Sequence, residues 1–335
     1  MTEFSRRAVL GGTFGLAGGL AGGLAGGLAA PALAQATWRP TRPMRFIVPF
    51  APAGSADMLS RMAAEAIASR LGQPVVVENR AGAGGNIGTD VLAKAEPDGH
   101  AVGLVTVGTG AINYAMYRSM PYKPGDLAAV SNICTVPNVI MVANRVPAKT
   151  LGELVELARR EPGKFNFGSS GVGTSLHLTG EMLKGGSGLD MTHVPFRGAA
   201  QMLLEAAAGR VEILVDNLPS GLPQIKDGRV RALAVTDTRR SSSLPDVPTT
   251  VEAGFPDIQA VAWFGVVAPG RTPRPAVEAI SAALQDAVRE PGFRAKLAEQ
   301  GSEPVGNTPA EFEAFIRAEI AKWGEVVRKA GVVVE

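Results

Sequence analysis

The chain has 335 residues, 46% of them hydrophobic, which exceeds one average domain and suffices for two hydrophobic cores. Its 33 basic and 31 acidic residues leave a net charge of +2, and no lysine/arginine run stands out. That balance argues against a nucleic-acid or membrane-surface partner. The single cysteine, Cys134, rules out an intrachain disulfide and the cysteine-rich zinc sites, and reads as a small buried apolar residue.

The first 34 residues read as an export signal, not as part of the fold. Ser5-Arg6-Arg7-Ala8-Val9-Leu10 sets adjacent arginines before apolar residues, and Gly-Gly-Leu-Ala then repeats three times up to Ala29. Pro31-Ala32-Leu33-Ala34 supplies a small-x-small cleavage signal. The glycines keep this segment mildly hydrophobic, which suits twin-arginine export better than a membrane span. A disordered low-complexity tail is the alternative, and three signals in the right order favour export. Cleavage after Ala34 leaves Gln35 first in a protein expected to be soluble in the periplasm. No junction cysteine is present for a lipid.

From Trp38 the chain alternates strand-like and helix-like segments. The β-branched run at 46–48 predicts a buried strand, and Pro49, Pro52 and Gly54 force a loop. From Met58, the spacing of Leu59, Met62, Ala63, Ala66 and Ile67 predicts a helix. Backbone N–H groups at such a loop, facing the positive end of a helix, favour an anion.

A strand at 74–79 follows, Gly72 having ended the preceding helix. The glycine loop at 81–88 then leads to a short helix from Thr89. It is not a dinucleotide fingerprint, because Ile87 takes the position of the third glycine. Close backbone packing and ligand lining remain its two readings. A strand at 100–106 ends in Val107-Gly108-Thr109-Gly110, small and hydroxyl-bearing where strand meets helix.

Strand structure resumes at 138–143, and Thr150 starts a helix at 151–160. Residues 164–177 repeat the grammar of the first unit: a strand, the loop Gly168-Ser169-Ser170-Gly171-Val172-Gly173, and a helix from about 174 to 183. Next come a strand at 191–196, Arg197-Gly198 before an apolar helix at 199–208, and strands at 211–217 and 230–235. A strand at 262–268 is long enough to pass between domains. Helices at 275–290, 291–300 and 309–330 close the chain, with Phe315 and Trp323 on a core stripe. The alternation predicts an α/β architecture of mostly parallel sheets, with ligand at the carboxyl ends of strands.

The residues carry a resemblance that covers essentially the whole mature chain. Pro49-Phe-Ala-Pro-Ala-Gly-Ser-Ala-Asp57, Gly72-Gln-Pro-Val-Val-Val-Glu-Asn-Arg-Ala-Gly-Ala-Gly-Gly-Asn-Ile-Gly88 and Pro97-Asp-Gly99 open it. It continues through Asn166-Phe-Gly-Ser-Ser-Gly-Val-Gly-Thr-Ser-Leu-His-Leu178, His193-Val-Pro-Phe-Arg-Gly198 and Asp216-Asn-Leu-Pro-Ser220. Arg231-Ala-Leu-Ala-Val-Thr236 and Leu244-Pro-Asp-Val-Pro-Thr249 complete it. Together these stretches resemble the substrate-binding proteins of tripartite tricarboxylate transporters, the Bug family of periplasmic solute receptors.

The resemblance implies an α/β, two-domain type II periplasmic-binding-protein fold with the ligand cleft between domains. Residues 35–138 and 259–335 would form the first domain, and 139–258 the second. It also implies a cofactor-free receptor for a small carboxylate (a di- or tricarboxylate, an amino acid or an aromatic acid). The partners would be the ligand and the membrane permease subunits of such a transporter, with no nucleic acid and a monomer as the default. The first loop would offer Phe50, Ala53, Gly54, Ser55 and Asp57. The second would offer Ser169, Ser170, Gly171, Thr174 and His177, with Thr109, Arg197 and Asp216 on nearby strand ends.

Ala53 stands where the family usually has a glycine, Ala56 where threonine is common, and Phe196-Arg197 where tyrosine and lysine are usual. Arg197 could hold a carboxylate bidentately. Structural readings stand beside these. Asp57 could brace loop and helix, His177 could be packing, and Asp216 could be hinge scaffold.

An enzyme is not expected. Gly168-Ser169-Ser170-Gly171 has Val172 where a nucleophile elbow needs glycine, and no third triad member is identifiable. Three histidines without an H-E-x-x-H motif, and no Walker A loop, leave no metal or nucleotide chemistry. A receptor reporting its ligand to a membrane sensor would have the same sequence features.

Overall fold

The computed structural model describes residues 38–334. The export-signal segment and the junction after Ala34 lie outside the described residues. The first half of the sheet is built around β1 (Met44–Val48), in which four apolar side chains are buried and Arg45 points out to pair with Glu78. It lies between β2 (Val75–Asn79) and β3 (Ala101–Thr106), parallel to both. The crossover helices are α1 (Ser55–Leu71) and α2 (Asn86–Ala93). Gly72 ends α1 in the left-handed conformation, at φ 74°, returning its N–H to Ala68 O. Beyond β3, a wide helical turn at 108–112 and α3 (Asn113–Met116) lead to β4 (Leu127–Ala143).

β4 is 17 residues long and belongs to both halves of the sheet. Along 127–137 it runs antiparallel to β9 (Val261–Pro269), and Cys134 and Thr135 also pair with the short β10 (Glu303–Pro304). From Asn138 onward its neighbours are β7 (Ile213–Asn217) and β8 (Val230–Val235), both antiparallel. β5 (Phe165–Ser169) and β6 (Met191–Pro195) extend this second half in parallel fashion. Four helices cover it: α4 (Leu151–Arg160), α5 (Ser175–Ser187), α6 (Ala199–Ala207) and α7 (Leu218–Lys226). A separate apolar core drawn wholly from residues 140–258 lies inside it, around Phe165, Phe167, Leu154 and Ile213.

The chain leaves one half for the other at a single buried knot. Thr236 N donates to Asn138 O at 3.0 Å, and Ala260 N donates to Thr236 O at 3.1 Å. The Thr236 hydroxyl donates to Ala260 O at 2.7 Å and accepts from Asn138 N at 3.1 Å. Asn138 reaches Thr179 Oγ1 through its amide nitrogen at 2.9 Å, and its oxygen accepts from Asn217 Nδ2 at 2.7 Å. Asn138, Thr179 and Thr236 are fully buried, so each polar atom here needs its partner.

Three C-terminal helices, α8 (Arg274–Arg289), α9 (Pro291–Glu299) and α10 (Pro309–Ala330), return to the first half. Thr308 and Glu311 form a reciprocal capping box at the start of α10. The Glu319 carboxylate of α10 accepts from Trp263 Nε1 at 3.0 Å and Trp323 Nε1 at 2.8 Å, locking the helix to β9.

Several sequence expectations need correction. The sheet is mixed, not mostly parallel, because β4 and β9 run antiparallel to every strand they touch among the described residues. β9 does not pass between halves: it pairs with β3 and β4 within the first. The strand that crosses is β4. The helices expected from Met58 and Thr89 begin three residues earlier, at Ser55 and Asn86. α7 is an additional helix, with Pro219 in its first turn and Pro223 inside it. Cys134 is fully buried, as expected.

Replacing Glu319 by leucine leaves two buried indole donors unpaired, and should cost about 3 kcal/mol of unfolding free energy. Glu319→Gln keeps an acceptor oxygen and should lose much less. Urea denaturation of the two variants measures the difference.

Candidate ligand-binding cleft

The β1–α1 loop is shaped by Asp57 in the first turn of α1. Its carboxylate accepts from Ala53 N at 3.2 Å, from Asn79 Nδ2 at 3.0 Å and from the Arg61 guanidinium at 3.0 Å. Burial pulls this carboxyl upward, and the bonds from Arg61, Asn79 and Ala53 outweigh it, holding Asp57 below the usual range. The brace holds Ala53 at φ 67°, a left-handed conformation that costs an alanine about 1 kcal/mol and a glycine almost nothing. Asp57 therefore acts behind the loop, while Phe50, Gly54 and Ser55 line the cleft.

The facing loop is braced in the same manner. Ser169 is fully buried, and its hydroxyl accepts from Gly171 N at 3.2 Å and lies 2.7 Å from His193 Nε2. His193 stacks on His177 with ring centroids 4.0 Å apart, and on Phe167 at 4.8 Å. Burial, aided by Lys184, lowers His177 to about 4; burial, aided by His177 and Lys184, lowers His193 to about 3, so both rings are neutral at ordinary pH. Thr174 caps α5 by accepting from His177 N at 3.2 Å. Ser170 and Thr174 reach the cleft; Ser169 and His177 stand behind it.

Between the loops lies an inner chamber of about 40 Å³. Four helices from both halves of the sheet begin at its walls: α1 at Gly54 and Ser55, α5 at Thr174 and Ser175, α6 at Gly198 and Ala199, and α7 at Asn217. No side-chain cap closes α1 or α6, which leaves first-turn N–H groups there for whatever occupies the chamber, whereas in α7 Pro219 has no N–H and Ser220 N donates to Ser55 Oγ at 3.1 Å. Thr106 and Phe264 complete the floor from β3 and β9. Among the described residues, Asp216 is the only charged one in the lining.

Asp216 is 1% exposed, and burial pushes its carboxyl up to about 7 from an ordinary 3.8, against the pull of Ser220 and Asn217 N. Ser220 Oγ donates to it at 2.7 Å and in turn accepts from Ser55 Oγ at 2.9 Å, so the chain Asp216–Ser220–Ser55 ties the halves at the base of the cleft. The folded state holds this proton between pH 4 and 7 where an unfolded chain releases it. Stability from this group is therefore complete below its unfolded value and falls as pH rises through its folded one.

An outer chamber of about 390 Å³ adjoins the inner one through Phe50 and Ser170. Its walls include the glycine turn at 82–85, Tyr117, Gly171, Val172, Phe196 and Arg197. Gly84, at φ 61°, approaches so closely that a Cβ there would lie 2.0 Å from Val172 O. Tyr117 Oη also donates to that carbonyl, at 3.4 Å. The glycine loop is thus both close packing and lining.

Of the sequence candidates, Phe50, Gly54, Ser55, Ser170, Thr174 and Asp216 meet at the inner chamber, and Gly171 and Arg197 at the outer. Ala53, Asp57, Thr109, Ser169 and His177 line neither. Thr109 is buried and accepts from Thr106 N at 3.1 Å. Sequence reasoning missed Thr106, Ala199 and Asn217. A signal was present for the last two: Ala199 opens a helix after a strand and a short loop, and Asn217 is a polar residue at a strand end. Among the described residues no cluster of three or more histidine, cysteine or acidic side chains could hold a metal.

Residues 59–332 match the tripartite tricarboxylate transporter family receptor. BugT of Bordetella pertussis is 36% identical over 294 residues, 87% of this chain and 90% of its own. The structure of R. palustris Rpa4515 with adipate is 37% identical with a TM-score of 0.85, over 88% of this chain and 99% of the other. MatC from Rhodopseudomonas palustris with bound malate is 30% identical at a TM-score of 0.82, over 86% and 99%. The fold is the two-domain α/β arrangement of periplasmic solute-binding proteins, and the family matched is one of transporter receptors, not enzymes. With the match running through both halves of the sheet, the chain belongs to the tripartite tricarboxylate transporter receptor family, with the Bug proteins among its relatives.

Proposed function

We propose that this protein is a periplasmic receptor that captures a small carboxylate by domain closure and delivers it to a tripartite tricarboxylate-type permease. The observation that carries the reading is the meeting of four helix N-termini, drawn from both halves of the sheet, on one cleft whose inner lining holds no basic side chain among the described residues. Partial positive charge from helix ends and free N–H groups suits a carboxylate without a lysine or arginine. The relatives that hold adipate and malate support the same ligand class.

In this reading, residues 35–138 with 259–335 form one domain and 139–258 the other. The knot at Asn138 and Thr236 is the hinge between them. A ligand touching both sides gains contacts only in the closed state and shifts the population toward it. Export by the twin-arginine segment, cleavage after Ala34 and a monomeric receptor complete the proposal.

A thermal-shift screen of residues 35–335 against mono-, di- and tricarboxylates, acidic amino acids and neutral controls tests the reading. A ligand at about 100 times its Kd should add about 2.7 kcal/mol to stability. Ala199→Phe puts a ring into the cleft and should abolish that response while the protein stays folded. A response from neutral compounds alone would overturn the carboxylate assignment.

Affinity should also depend on pH through Asp216. A bound carboxylate raises the Asp216 pKa further, so binding takes up a proton once the free protein has lost it. Affinity is expected to be flat near pH 6 and to fall above pH 7, the folded value of Asp216, by at most about tenfold per unit. Asp216→Asn should flatten the profile. Titration calorimetry at several pH values in two buffers reads both the affinity and the proton uptake.

A further inference from the structure

The two halves touch at the base of the cleft and again across its mouth. There Val172 and Gly173 of the second half lie against three parts of the first: the glycine turn at 82–85, the wide helical turn at 108–112, and α3 with Tyr117. Tyr117 Oη donates to Val172 O at 3.4 Å. The same carbonyl faces Gly84, where an added side-chain carbon would stand 2.0 Å from the oxygen. Gly173 repeats the arrangement in the opposite sense. A carbon added there would lie 2.2 Å from Asn113 Oδ1, and one added at Gly108 would lie 2.8 Å from Gly173 O. Carbon and oxygen do not approach so closely without repulsion, so at all three positions only a hydrogen fits between the halves.

Each side of this contact is held in place from behind. Asn113 is fully buried, and its Nδ2 donates to Asn86 Oδ1 at 2.7 Å, an oxygen that also accepts from Tyr122 Oη at 3.0 Å. That fixes the amide with Oδ1 toward Gly173, where it has no hydrogen-bond partner among the described residues. The backbone around Tyr117 is pinned by Val334, whose N donates to Met116 O at 2.8 Å and whose O accepts from Arg118 N at 3.2 Å. On the second half, Thr174 Oγ1 donates to Gly171 O at 2.7 Å and holds the loop that carries Val172 and Gly173.

Resting on the reading that the halves close on a ligand, we infer that this contact is a latch that holds the cleft shut with protein atoms alone. Gly84 and Gly173 act in it as positioning residues, through the close approach that their missing side chains permit. Every group in the latch belongs to the chain, so its contribution to closure is present with or without ligand. A ligand passes through the open fraction of molecules, and the latch sets how often the cleft admits or releases it.

The test is the distance between spin labels on the two halves, measured by pulsed electron paramagnetic resonance on the ligand-free protein. Glu96→Cys and Leu204→Cys carry the labels, since both positions are exposed, and the buried Cys134 stays unlabelled. The wild type should be predominantly in the short-distance, closed population. Gly84→Ala sets a methyl group against Val172 O only when the halves are closed, and should lower the closed-to-open ratio by about tenfold. Tyr117→Phe removes one donor and should lower it by about threefold. Gly82→Ala strains the same turn, at φ 143°, but its methyl group meets only Ile87 of its own half, at 2.5 Å. It should keep the ratio within about twofold of the wild type. A predominantly open wild type, equal ratios in the wild type, Gly84→Ala and Tyr117→Phe, or equal opening in Gly82→Ala and Gly84→Ala, overturns the latch. Those outcomes leave the carboxylate assignment standing, because no ligand enters the measurement; silence in the carboxylate screen overturns that assignment separately.

Discussion

Everything in this molecule depends on a crossing made by one continuous strand. β4 runs from one half of the sheet into the other, and at Asn138 it exchanges β9 and β10 for β7 and β8. The chain crosses back after β8, and Thr236 ties both passages together through its backbone and hydroxyl. Buried polar atoms with every partner in place resist local opening, whereas the cleft above them has few contacts to lose. A stiff base under a soft mouth is the mechanical condition for two halves that close on a small ligand.

The crossing also decides what the cleft is made of. Strands on both sides end at the same level, so the loops and helix starts that follow them face one another. Each loop is braced from behind by a residue that does not reach the cleft. Asp57 holds the first through Ala53, Asn79 and Arg61, and the stacked pair His193 and His177 holds the second through Ser169 and Gly173. The surface presented between them is thereby mostly backbone, hydroxyls and apolar groups, with Asp216 at its base. That composition reconciles a near-neutral protein with an anionic ligand.

Much of this was legible. Phe46 to Val48, then prolines and Gly54, then Leu59 and Ile67 at helical spacing spell strand, loop and helix without ambiguity. The Gly/Ser loop after Phe167 repeats the same order. Side chains that turn away were harder. Thr109, Ser169 and His177 have cleft-like identities, yet their partners are Thr106, His193 and Gly173, and they stand behind the wall. β4 was legible only in its last third. Ser131, Asn132 and Pro137 interrupt its apolar pattern, and register shifts near Ala129 and Asn132 accommodate them. α7 escaped because Pro219 and Pro223 read as breakers, although a proline in the first helical turn gives up no hydrogen bond.

The amino-acid sequence by itself determined the elements and the family, because hydrophobic period, glycine and proline placement and helix caps act over a few residues. It also brought Asp216 and Arg197 forward together as cleft candidates, without separating them. Only the tertiary structure decided which strand crosses, that the sheet is mixed, and that Arg197 belongs to an outer chamber apart from the helix ends. These facts rest on pairings between residues far apart in sequence, such as Asn138 with Thr236, 98 positions away, or Ser55 with Ser220, 165 away. Local pattern carries no record of such distances, since the cost of closing long loops is met by the assembled core and not by any one segment.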